Sequence, residues 1–181
     1  MVSYYVDLGK TIIFVWKILN MKKLIALILI IGLTSCNDGD FDVPAFEFTE
    51  TVKSCDEYLL YITNANSTEV LLLPLTTTQL GTTPGEKNYT ISSSLKAIYR
   101  IFEEGVEGDY FCQSIPPTTP LVIKELISSS GTINIITTEK SNDGIITGYT
   151  YDITISELLF MDAEERVFFE NFDFGSFSIN N

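Results

Sequence analysis

An antiparallel all-β domain is the fold this sequence predicts. Three observations carry the prediction. Apolar and β-branched residues gather in short runs rather than at helical spacing. Turn signals rich in Gly, Asn, Asp, Ser and Pro separate these runs about every eight to twelve residues. From 149 to 155 the chain alternates strictly: Tyr149, Tyr151, Ile153 and Ile155 share one face, and Thr150, Asp152 and Thr154 the other. That alternation suits a sheet buried on one side and wet on the other. The predicted architecture is a two-sheet β-sandwich, immunoglobulin-like or similar, with a small closed β-barrel as the alternative. Strand patterns alone do not separate the two. The Cys…Trp…Cys spacing of immunoglobulin domains is absent, because the one tryptophan is Trp16.

Taken in order, Tyr58–Thr63 and Glu69–Leu75 flank the turn-forming Asn64–Thr68 and predict a hairpin. Pro74 marks an edge or a strand end, since it cannot donate to a ladder. Lys96–Phe102 and Asp109–Ile115 flank Glu103–Gly108 and predict a second hairpin. Pro116–Pro120 reads as an extended connector. Leu121–Ile127 follows as a further strand. Thr132–Glu139 and Gly148–Ile155 then flank Lys140–Thr147, where Asp143-Gly144 suits a tight turn with positive φ. One stretch hints at helix: Asp162 with Glu165 three residues on has capping-box spacing. Phe168, Phe169, Phe172, Phe174 and Phe177 predict a closing strand packed on the core, with an exposed aromatic surface as the alternative.

The N-terminal segment is an address rather than part of the fold. Met21-Lys22-Lys23 is a short basic region, Leu24–Leu33 a ten-residue apolar region, and Thr34-Ser35 are small residues before a cysteine. That is the layout of a secretory signal peptide. Leu33-Thr34-Ser35-Cys36 resembles the bacterial lipobox. The resemblance implies a diacylglyceryl group on the Cys36 thiol, cleavage before Cys36 and anchoring to the membrane through that lipid. The alternative is a transmembrane helix over 11–33, long enough to span. It would hold Lys17, Lys22 and Lys23 near its middle, each costing roughly 2.5–3.5 kcal/mol at a helix centre. Because the signal is complete from Met21, residues 1–20 read as an upstream start extension; a longer basic region is the alternative. Asn37–Asp42 is acidic and resembles the export signals that carry Bacteroidota lipoproteins to the outer face of the outer membrane. Residues 36–44 also read as a solvated acidic tether, which needs no sorting role. The expected organisation is thus a signal peptide at 21–35, a tether at 36–44 and one β domain at 45–181.

Composition narrows the function. Of 11 Lys and Arg, four precede Cys36, and of 24 Asp and Glu, one does; residues 36–181 therefore carry seven cations against 23 acids, a net charge of −16. Such a field repels phosphate polymers, so no nucleic-acid partner is expected. Beyond Cys36 two cysteines remain, Cys55 and Cys112, an even pair that predicts a disulfide in an oxidising compartment; two buried free thiols are the alternative. Histidine is absent, which removes Ser-His-Asp and Cys-His catalysis and His-ligated zinc. No phosphate-binding glycine loop occurs. Carboxylates remain, but none has a spacing that implies a glycosidase pair. No enzyme, cofactor or metal site is expected. Asp38-x-Asp40-x-Asp42 opens like an EF-hand loop but places Val43 where Gly is needed and Thr49 where a bidentate Glu is needed. Glu103, Glu104, Glu107 and Asp109 form one acidic turn, read as solvated, with Ca²⁺ binding as the sharper alternative. The functional expectation is a lipid-anchored binding module for a ligand, glycan or protein at the cell envelope. The alternative is a structural subunit of an envelope complex.

Overall fold

Two consecutive apolar runs, Leu59–Ile62 and Val70–Leu73, set up the architecture. Runs without alternation belong to strands buried on both faces, and in the computed structural model both are. The structure describes residues 47–48, 51–56, 58–115, 117–162 and 165–181; the signal segment, Cys36 and the acidic stretch after it lie outside these. Strands β1 (Lys53–Cys55), β2 (Leu59–Thr63) and β3 (Glu69–Pro74) pair antiparallel in sequence. Pro74 sits at the end of its strand, opposite Leu59. A one-turn helix, α1 (Thr77–Leu80), and strand β4 (Gly85–Thr90) follow, then β5 (Ile98–Phe102), which returns to β3. Three long strands complete the domain: β6 (Val122–Asn142), β7 (Ile145–Asp162) and β8 (Glu165–Asn180).

The all-β antiparallel fold is as predicted. Its strands form one curled sheet in the order β1-β2-β3-β5-β6-β7-β8, a half-barrel, with β4 also paired to β6. Strand β6 makes the curl. Its first part pairs with β5 (Ile98↔Ile127), and its second pairs on the same side with β4 (Tyr89↔Ile133). Between them the register shifts near Ser128–Thr132, and Gly131 adopts φ +144°. A methyl group on Gly131 would lie 2.9 Å from Ile91 Cδ1 and 3.2 Å from Leu158 Cα, so the bend requires glycine. The two predicted runs at 121–127 and 132–139 are therefore parts of a single strand.

Inside the curl, Leu60, Leu71 and Leu73 from one half meet Ile133, Ile135, Ile153 and Ile155 from the other in one core. Full burial of each such side chain contributes about 1.5–3 kcal/mol. A second apolar layer lies on the opposite face of β2 and β3, where Tyr61, Val70 and Leu72 are covered by Phe102, Val106 and Tyr110. This layer explains the main departure from the predicted elements. Asp109–Ile115 does not form a strand with β5. Tyr110–Cys112 is a 3-10 turn, and the segment folds back as a flap. Tyr110 and Phe111 pack edge-on against each other and on Phe102, with centroids 5.0 to 6.2 Å apart. Cys112 bonds Cys55 of β1, Cα to Cα 5.0 Å, so the predicted disulfide is present. Burial of three neighbouring aromatics and the covalent tie outweigh the strand pairing that the hairpin pattern suggested.

The third hairpin is as predicted. Asn142 faces Ile145 across a two-residue turn, with Asp143 at φ 50° and Gly144 at φ 78°. The helix start at Asp162 is not observed: Asp162 ends β7 and pairs with Glu165, the first residue of β8. Strand continuity on both sides overrides a local cap signal. The closing phenylalanine strand is β8, with Phe172 and Phe174 buried in the core.

Tyr99, buried on β5, donates a hydrogen bond to Glu69 Oε2 at 2.8 Å. Burial first, then this bond and the Glu69 charge, push its phenol far above the ordinary 10.0. Tyr61 is also raised, by burial and then by the Asp109 charge. A raised folded value means that these groups stabilise the domain fully below the ordinary tyrosine pKa. That contribution is lost as pH rises past it toward the folded value. Phenolate absorbance should therefore lag in two tyrosines until the fold opens. Tyr99→Phe should flatten the alkaline loss of stability; an unchanged alkaline limb would refute the assignment.

Candidate functional site

A cleft with aromatic walls lies where α1 faces the ends of β7 and β8. Helix α1 is short and held by its own caps. Thr76 accepts from the Gln79 amide, and the Gln79 side chain accepts from the Thr76 amide at 2.7 Å. Gly81 ends it at φ 60°, a conformation that favours glycine. Two tyrosines fix the segment from below. Tyr89 of β4 donates to the Gln79 carbonyl at 3.0 Å, and Tyr151 of β7 donates to the Gly81 carbonyl at 2.8 Å. Leu80 inserts into the core.

The gap between this segment and the sheet is a cleft of about 400 Å³, lined among others by Tyr58, Leu80, Tyr149, Tyr151, Ile179 and Asn180. Tyr151 is buried and stacks on Phe177, with centroids 6.5 Å apart and planes 22° apart. Tyr58 and Tyr149 are half-buried. Thr77, Thr82 and Asn181 supply neutral hydroxyl and amide groups at the rim. Beneath the cleft, Thr137 is paired in register with Tyr151, and its buried hydroxyl has no hydrogen-bond partner among the described residues.

The far wall depends on a close approach. Gly148 of β7 lies opposite Asn180, and a methyl group there would strike the Ile179 carbonyl and come within 2.9 Å of Asn180 Cα. Gly148→Ala is expected to push the last residues of β8 away and to cost about 1–3 kcal/mol through overpacking. Faster amide exchange at Asn181, whose N–H donates to the Thr147 carbonyl at 2.9 Å, would report it. Unchanged exchange would mean that the wall yields elsewhere.

The predicted residues fall as follows. Cys55 and Cys112 come together in the bridge, and Cys36 lies outside the described residues. Glu104, Glu107 and Asp109 border a separate polar hollow beside Tyr110 and Pro120. Among the described residues no group of three or more Asp, Glu, Cys or His is arranged to hold a metal ion. Tyr149 and Tyr151, singled out by their alternation, do share a face and line the cleft. Tyr58, α1 and the end of β8 carried no sequence signal for the site, since nothing local marks residues brought together from opposite ends of the domain. No family model, curated protein or solved structure matches the chain.

Proposed function

We propose that the chain is a lipid-anchored protein of the outer membrane, displayed at the cell surface, whose β domain is a ligand-binding module. The cleft carries the binding half of this reading: concave, with apolar and aromatic walls and a few neutral polar groups at its rim. The N-terminal segment with its lipobox-like Leu33–Cys36 supports the anchor, and the acidic Asn37–Asp42 supports surface display. The test is fractionation of cells making wild-type or Cys36→Ala protein, with protease applied to intact cells. Wild type should follow the membrane and be digested from outside, and Cys36→Ala should leave the membrane fraction. Retention of Cys36→Ala in the membrane would remove the lipid anchor from the reading. Protection of the wild type until the outer membrane is broken would move the domain to the periplasmic side.

One observation favours a second reading, a structural subunit packed on an envelope partner. On the outward face of the sheet, Ile98 pairs with Ile127. Ile127 is 41%, Met161 55% and Phe168 41% exposed, large apolar side chains of the kind found at interaction surfaces. Crosslinking from one of these residues would distinguish the readings by trapping a partner in the envelope.

A further inference from the structure

We infer that the tyrosine cleft takes a neutral oligosaccharide; this rests on reading the cleft as the ligand site. Three features of the lining point to it. First, the half-buried Tyr58 and Tyr149 bring two rings to one cleft above the buried Tyr151, with Ile179 extending the apolar surface. Flat aromatic faces with a polar tip suit a ligand that is apolar on its ring faces and hydroxylated at its edges, which is the character of a pyranose. Second, the polar groups offered are neutral. Thr77, Thr82, Asn180 and Asn181 present hydroxyls and amides, which donate and accept, and among the described residues none in the lining has a charged side chain. Third, opposite charges stand beside the lining. A methyl group on Gly81 would lie 2.7 Å from Lys87 Nζ, and Glu139 pairs in register with Tyr149 across the sheet. A ligand of net charge would meet its own sign on one side. The volume, about 400 Å³, lies within the usual range for small-ligand sites, roughly 300–1,000 Å³. The cleft is open to solvent, so a chain can enter from its middle as well as its end.

The test uses full-length protein in a sugar-free detergent, labelled with 3-fluorotyrosine, with the Tyr149 signal assigned by Tyr149→Phe. The probes are cello-, malto-, xylo- and mannohexaose, an oligogalacturonate, a chitosan oligomer and a mixture of short peptides. At least one neutral hexaose should shift the Tyr149 signal saturably. Tyr149→Ala should weaken that binding about tenfold, roughly 1.4 kcal/mol. Ile127→Ser, on the outward face, should leave it unchanged, and Tyr149→Phe serves as the folded control that keeps the ring. A Tyr149 shift with charged oligomers or peptides alone would overturn the ligand class and leave the cleft as the site. Sugar binding that leaves the Tyr149 signal fixed and survives Tyr149→Ala would overturn both. A signal unmoved by every probe would also overturn both.

Discussion

Cys112→Ser is expected to lower the domain's stability by about 4 kcal/mol. The bridge joins positions 57 residues apart, and a loop of that length loses about this much conformational freedom in the unfolded chain. In a domain of this size, each kcal/mol moves the melting temperature by about 2–4 °C, so a fall of about 8–16 °C is expected. The location of the bridge adds a structural signature. Cys55 is buried in the outer apolar layer, while Cys112 lies at the exposed end of the flap. Cutting the tie frees the flap from β1 and uncovers Tyr61 and Leu72. Binding of a hydrophobic dye should therefore rise before global unfolding. Reduction of wild type should reproduce both effects and leave Cys112→Ser unaffected. A melting temperature insensitive to reduction would show that packing alone holds the flap.

Phe160→Ala is expected to cost about 3–5 kcal/mol, the usual range for removing a buried aromatic side chain. Phe160 is 1% exposed in the core, with its ring 6.3 Å from that of Tyr99 on the facing half of the sheet. Its chain neighbour Met161 is 55% exposed, and Met161→Ala should change stability by no more than about 0.5 kcal/mol. Strand period two sends adjacent residues to opposite faces, so the pair tests facing as well as packing. Similar losses in both variants under chemical denaturation would place β7 in the wrong register.

How far the sequence could be read depended on whether a signal was local. The turn at Asp143-Gly144 was legible because only a few residue types accept positive φ at both central positions, and the alternating strands beside it left one register. The hairpin at 58–75 was legible from its turn and its apolar runs. The strand at 85–90 was not read, because its residues are polar and it gains its place only by pairing with β6. The capping box that did form, Thr76 with Gln79, lies in a polar stretch with no apolar periodicity to flag a helix. The one at Asp162 was spent on a strand end. Tyr110-Phe111-Cys112 reads locally as strand, and the flap is set by a layer of apolar residues some forty to fifty positions earlier, Tyr61 and Val70 among them. The cleft was half visible: Tyr149 and Tyr151 mark one wall, but α1 and β8 reach it only through the curl of the sheet.

The strand order has a kinetic consequence. Neighbours in space are, with the exception of β4, neighbours in sequence. Folding rates fall as the mean sequence separation of contacts grows, and this path keeps most closures short. β1, β2, β3 and β5 are complete by Phe102, and the partner cysteine follows at 112, ten residues before β6 begins. In chain order, both cysteines of the bridge and the strands up to β5 therefore precede the long hairpin. Only β4 must wait for a remote partner, since its contacts span 42 residues at Thr90↔Thr132 and 52 at Gly85↔Thr137. Strand β6 is the element on which the two halves meet, since it pairs with β5, β4 and β7.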